Sequence, residues 1–128
     1  MGGIEIADRL NASGFNAVDR RVLEKLEAKI GRKAFLEIAA LFRQAAAARI
    51  AELEDIRARR DFAALRKIAH DWISDSAALG AAGLSALARR VEADALGRNE
   101  EAFATSREME TLAAAASAAI GKIAGEAA

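Results

Sequence analysis

Not one proline occurs in these 128 residues, and that absence limits the fold more than anything the chain contains. Proline ends helices because it has no amide hydrogen to give and its ring clashes with the preceding turn. A chain without it, rich in alanine and poor in β-branched residues, leaves glycine as its main punctuation. The nine glycines fall mostly between stretches of helical periodicity. The fold class is therefore all-α. A chain of this length makes one domain, able to bury about two thirds of its unfolded surface in a single core.

Taken in order, residues 1–15 carry a weak signal. Ile4, Ile6, Ala7 and Leu10 fit one short amphipathic helix or arm before the break at Asn11-Ala12-Ser13-Gly14. The bundle domain is expected over residues 16–125. Its first element is a short helix from Asn16 or Asp19, either of which can cap it, to a stop at Gly31. The longest pattern runs from Arg32 to about Arg59, with Phe35, Ile38, Ala39, Phe42, Ala46, Ile50 and Leu53 on its apolar face. Asp61 caps the next helix, Phe62 to Leu79, and Gly80-Ala81-Ala82-Gly83 separates it from a fourth marked by Leu84, Leu87, Ala88, Val91 and Ala95. Asn99, with Glu100 and Glu101 behind it, opens the last helix, whose face is Ala102 or Phe103, Met109, Leu112, Ala116, Ile120 and Ile123. Short connections between four substantial helices predict an antiparallel up-down-up-down four-helix bundle with one or two short helices before it.

Several functions are unsupported by this composition. Nineteen basic and nineteen acidic residues cancel, so no global field draws the chain to nucleic acid or to an anionic membrane. The longest apolar run, Leu112 to Ile120, is far short of the roughly 18 residues of a spanning helix. The first residues have neither the basic region nor the apolar run of a signal peptide, and there is no cysteine, so a cytoplasmic protein is expected. A single histidine cannot supply a zinc site or the paired Glu-x-x-His motifs of a carboxylate-bridged metal centre. No metal and no cofactor are expected. A Ser-His-Asp triad from Ser74 or Ser76 and Asp71 or Asp75 has no strained elbow and no glycine-rich oxyanion loop to go with it.

That histidine, His70, is the residue to follow. Leu65, Ile68, Ala69, Trp72, Ser76 and Leu79 form a buried helical stripe centred near Trp72 and Leu79, and at about 100° per residue His70 falls roughly opposite it. Its neighbours one turn away are Arg66, Lys67, Ile73 and Ser74, with Ala77 two turns on. Taken by spacing alone, His70 is an ordinary surface histidine. Arg57, Arg59, Arg60, Arg66 and Lys67 read as a positive rim, Ile73, Ala77 and Phe62 as an apolar shoulder, and Asp71 and Asp75 as solvated acids.

The pattern Ala69-His70-x-Trp72-x-x-x-Ser76-Ala77-x-Leu79-Gly80-Ala81, followed by Leu84, Leu87, Ala88, Arg89 and Glu92, resembles the active helix and following helix of histidine-containing phosphotransfer domains. Upstream, Asp61-Phe62-x-x-Leu65 and Leu41-Phe42 fit the same resemblance. It implies a four-helix bundle that carries a phosphoryl group on exposed His70 between aspartates of response-regulator receiver domains or a hybrid histidine kinase. Such a protein is a phosphoryl carrier without catalytic activity of its own, expected here as a monomer. The family typically reads His-x-Leu-Lys-Gly, whereas this chain has Ile73 and Ser74 at the lysine and glycine positions. Lys67 and Arg66, one turn earlier, are the candidates to balance the phosphate's charge. Ile73, Ser74, Ala77 and Phe62 are the candidate docking residues. The alternative expectation is a degenerate bundle of this kind that binds a receiver or kinase without carrying phosphate, and a general helical adaptor is a third.

Overall fold

The computed structural model describes residues 17–126, and the arm predicted over residues 1–15 lies outside them. The described residues form five α-helices and no strand: α1 Arg20–Ile30, α2 Arg32–Arg59, α3 Phe62–Ala78, α4 Ala82–Leu96 and α5 Glu101–Glu126. The predicted caps hold three of their starts. Asp19 accepts the Arg21 amide at 2.9 Å, Asp61 the Ala64 amide at 3.0 Å, and Asn99 the Glu101 amide at 2.9 Å. Each satisfies an amide that has no partner within the helix's first turn. Gly31 closes α1 at φ 89° and Arg60 closes α2 at φ 53°, a left-handed position that an arginine occupies at some cost.

Around the bundle, α2 packs on α3, α3 on α4, α4 on α5 and α5 back on α2, while α1 lies against α2. Two side chains of α2 tie it to α5. Arg32, at the start of α2, donates to the Ala124 carbonyl near the end of α5 at 2.7 Å, and Arg57 near the end of α2 reaches Glu110 at 2.8 Å. Their shared core is filled by Trp72, Phe35, Leu23, Leu53, Leu65, Leu84, Met109, Ile120 and Val91, all essentially removed from water. Each such large side chain contributes roughly 1.5–3 kcal/mol of burial. Alanines at 39, 46, 69, 88, 113 and 116 are also buried and let the helix backbones approach closely.

The turn between α3 and α4 matters most for the site. Gly80 has φ 79°, and its carbonyl accepts the Asp19 amide at 2.9 Å, which seats the entry to α1 on this turn. A Cβ at Gly80 would come within 3.0 Å of the Asp19 carbonyl oxygen and of Val22 Cβ. Both the backbone sign and the space require glycine here.

Three details differ from the sequence reading. Ala82 and Gly83 belong to α4, so the break there is only Leu79–Ala81. Ile38 is 37% exposed, because the buried seam of α2 follows Phe35, Ala39, Phe42, Ala46, Leu53 and Ile56 and leaves Ile38 at its edge. In α5 Ala113 is fully buried where the sequence pattern points to Leu112, which is half-buried beside it.

Candidate functional site

Trp72, Leu65, Ala69 and Ser76 are buried on the inner face of α3, which turns His70 outward with 68% of its side chain exposed. A second helix then fixes the ring. His70 Nδ1 lies 2.7 Å from Glu92 Oε2 on α4, and the Glu92 side chain is mostly covered. An ionised carboxylate can only accept, so Nδ1 is the donor, and in the neutral ring the lone pair is on Nε2. The exposed edge of the imidazole is thus its nucleophilic edge. Beside it, Ser85 donates its hydroxyl to the Ile73 carbonyl at 2.8 Å, a second clasp between α3 and α4. Sequence reasoning noticed Glu92 only as part of a resemblance. Its signal is geometric: His70 and Glu92 lie about equally far from the turn at Gly80, on opposite sides of it.

The other candidates divide. Ser74 and Ala77 are exposed on the histidine's side of α3, and Ile73 is half-buried, packed against the core. Phe62 is not at His70's shoulder. It sits at the start of α3, with its ring centroid 4.8 Å from that of Phe103 and the Arg98 guanidinium 4.9 Å above it. Lys67 pairs with Asp71 at 3.2 Å while remaining largely exposed. Arg66 is exposed and has no carboxylate at ion-pair distance among the described residues.

The expected positive rim does not form as one field. Arg57 is mostly covered against Ser106 at 3.2 Å and Glu110 at 2.8 Å, and Arg59 lies between Asp55 and Asp61, each at 2.8 Å. Arg60 pairs with Glu100 at 3.4 Å and covers the Phe103 ring. The backbone amide of Ala64 and then Arg59 hold the Asp61 carboxyl below the ordinary aspartate value. Nor are Asp71 and Asp75 free acids, since Lys67 neutralises the first and Arg49 the second at 2.9 Å. Arg49 also lies 5.7 Å from the Trp72 ring centroid, beneath α3.

Among the described residues no cluster of three or more histidine, cysteine, aspartate or glutamate side chains is placed to hold a metal ion. No helix among them is long and apolar enough to cross a membrane. No protein-family model, no curated protein and no solved structure matches the chain.

Proposed function

We propose that this chain is a histidine phosphotransfer protein that takes a phosphoryl group onto His70 from the aspartyl phosphate of a receiver domain, or of a hybrid histidine kinase, and passes it on. The observation that carries this reading is the His70–Glu92 contact at 2.7 Å on an otherwise exposed ring. In the transfer, Nε2 attacks phosphorus, the Nε2–P bond forms, and the P–O bond to the aspartate breaks with the carboxylate as leaving group. The Nδ1 proton stays where it is, so the ring becomes cationic. Glu92 is then the counter-charge, as it was the orienting acceptor before attack. The carrier supplies a positioned nucleophile, and the partner supplies the activated phosphate.

Pairing of Asp71 and Asp75 with Lys67 and Arg49 removes two negative fields that would repel the incoming group. Arg66, one turn before His70 and about 6 Å along the helix, supplies positive charge near the phosphate, while Lys67, about 4.5 Å away, shares its charge with Asp71. The same reading assigns an antiparallel up-down-up-down course to α2 through α5, which is supported by Arg32 at the start of α2 meeting Ala124 near the end of α5 and Arg57 near the end of α2 meeting Glu110 in its first half. The chain acts as a monomer in the cytoplasm, with Ser74, Ala77 and Ile73 forming the flat side of the docking surface.

The test is phosphorylation of the purified protein by phosphoramidate and by a panel of phosphorylated receiver domains, with His70→Gln alongside. Acid-labile, alkali-stable phosphate on the wild type and none on the variant is the expected result. One observation favours the runner-up, a bundle that docks a receiver without carrying phosphate: Lys67 is already engaged by Asp71. Receiver binding with no label from either donor selects it.

A further inference from the structure

An open cleft of about 410 Å³ runs between the start of α3 and the end of α4, lined by Phe62, Ala63, Arg66, Ala95, Leu96 and Arg98. Its apolar part includes Leu96, which is 68% exposed, more than any other large apolar side chain described. Two guanidinium groups border that leucine. Arg98 occupies a left-handed position, φ 56°, just past the end of α4, and its guanidinium lies 4.9 Å from the Phe62 ring centroid. Held there by the ring, it gives up little freedom when it meets an anion. Arg66 stands on the opposite wall. Neither has a carboxylate at ion-pair distance among the described residues, whereas neighbouring Arg59, Arg60 and Lys67 all do.

The placement is specific. Arg66 is one helical turn before His70, about 6 Å along α3, so a body covering the cleft also reaches the imidazole. Two unneutralised cations flanking an exposed leucine are complementary to carboxylates flanking an apolar side chain. We infer that this cleft is the charged half of the docking surface. Its occupant is the acidic rim of the receiver domain that exchanges phosphate with His70, its carboxylates meeting Arg66 and Arg98 and an apolar side chain meeting Leu96. The inference rests on the phosphotransfer reading and adds which end of α3 the partner covers.

Arg66→Glu with Arg98→Asp reverses both charges, aspartate being among the residues that tolerate a left-handed backbone. Arg43→Glu with Arg107→Glu makes the same change in net charge on α2 and α5. Two probes separate docking from chemistry: phosphoramidate, which needs no docking, and whichever receiver of the panel labels the wild type. The quantity read is receiver-dependent transfer divided by phosphoramidate labelling of the same variant. It is expected to fall about tenfold or more for the cleft pair, with a raised KM, and to stay within about twofold for the distant pair. Leu96→Ala, which removes no buried contact, is expected to lower it about threefold. A cleft pair within twofold of wild type, or two pairs that fall alike, overturns the inference. If phosphoramidate labels His70 and the cleft pair is unaffected, the phosphotransfer reading survives and only the docking site falls. If neither donor labels the wild type, the phosphotransfer reading fails and the inference with it.

Discussion

Replacing Gly80 by alanine separates two demands on the α3–α4 turn, and both can be put into numbers. The backbone there has φ 79°, which costs an L residue about 1–2 kcal/mol. The new Cβ also lies at 3.0 Å from the Asp19 carbonyl oxygen, at 3.0 Å from Val22 Cβ and at 3.2 Å from the Asp19 nitrogen. Two of these three atoms are backbone, so relief requires moving the entry to α1 and stretching the Asp19–Gly80 hydrogen bond of 2.9 Å. Such overpacking adds about 1–3 kcal/mol. Against this, alanine restricts the unfolded chain and returns about 0.4–1 kcal/mol. The net expectation is a loss of about 1–4.6 kcal/mol, centred near 3. With a urea slope of about 1.5 kcal/mol per M, the midpoint falls by roughly 0.7–3 M. Trp72 is the only tryptophan and is fully buried, so its fluorescence follows unfolding without a label. Gly83→Ala is the control: this glycine is inside α4, and its Cβ would meet nothing within 4 Å. It should gain up to about 1 kcal/mol. A Gly80→Ala midpoint equal to wild type, or equal losses at both glycines, would refute the reasoning.

Glu92→Ala should shift the His70 tautomer away from Nδ1–H, read by imidazole 15N chemical shifts, and slow phosphoramidate labelling several-fold. Glu92→Gln, whose amide oxygen still accepts, should fall between the two. Arg57→Ala should lower stability by about 0.5–1.5 kcal/mol, because it removes the charge-assisted bond to the partly exposed Glu110 carboxylate while Ser106 keeps its bond to the Phe103 carbonyl, and His70 labelling should be retained; loss of labelling at intact stability would return Arg57 to the docking surface. Asp61→Ala should destabilise the protein at neutral pH. The folded carboxyl sits below its ordinary value, so its contribution is complete above the unfolded pKa and disappears as pH falls through the folded one. Urea midpoints of wild type and Asp61→Ala should therefore converge on acidification, and a gap that stays constant from neutral to strongly acid pH refutes the linkage.

What the sequence made legible was whatever one helix decides alone. Asp19, Asp61 and Asn99 act as caps through amides two or three residues away, and Gly31 stops α1 by its own φ. Trp72 inward and His70 outward follow from 100° per residue. Ile38 and Ala113 show the limit, since periodicity fixes the direction of a stripe and only the neighbouring helices fix its edges. The basic run at the end of α2 misleads for a related reason. Arg57, Arg59 and Arg60 are adjacent in sequence, but the helix ends among them, at Arg59. One side chain therefore turns to α5, one back along α2 and one, from a left-handed residue, to the start of α5. Nearness along a chain predicts a shared field only where the side chains also share a face. That rule accounts equally for the site. His70 and Glu92 are far apart in sequence and meet because Gly80 folds α3 back against α4, and Arg66 and Arg98 border one cleft by the same geometry. The residue that decides where His70 meets Glu92 is thus a glycine in a turn that touches neither of them.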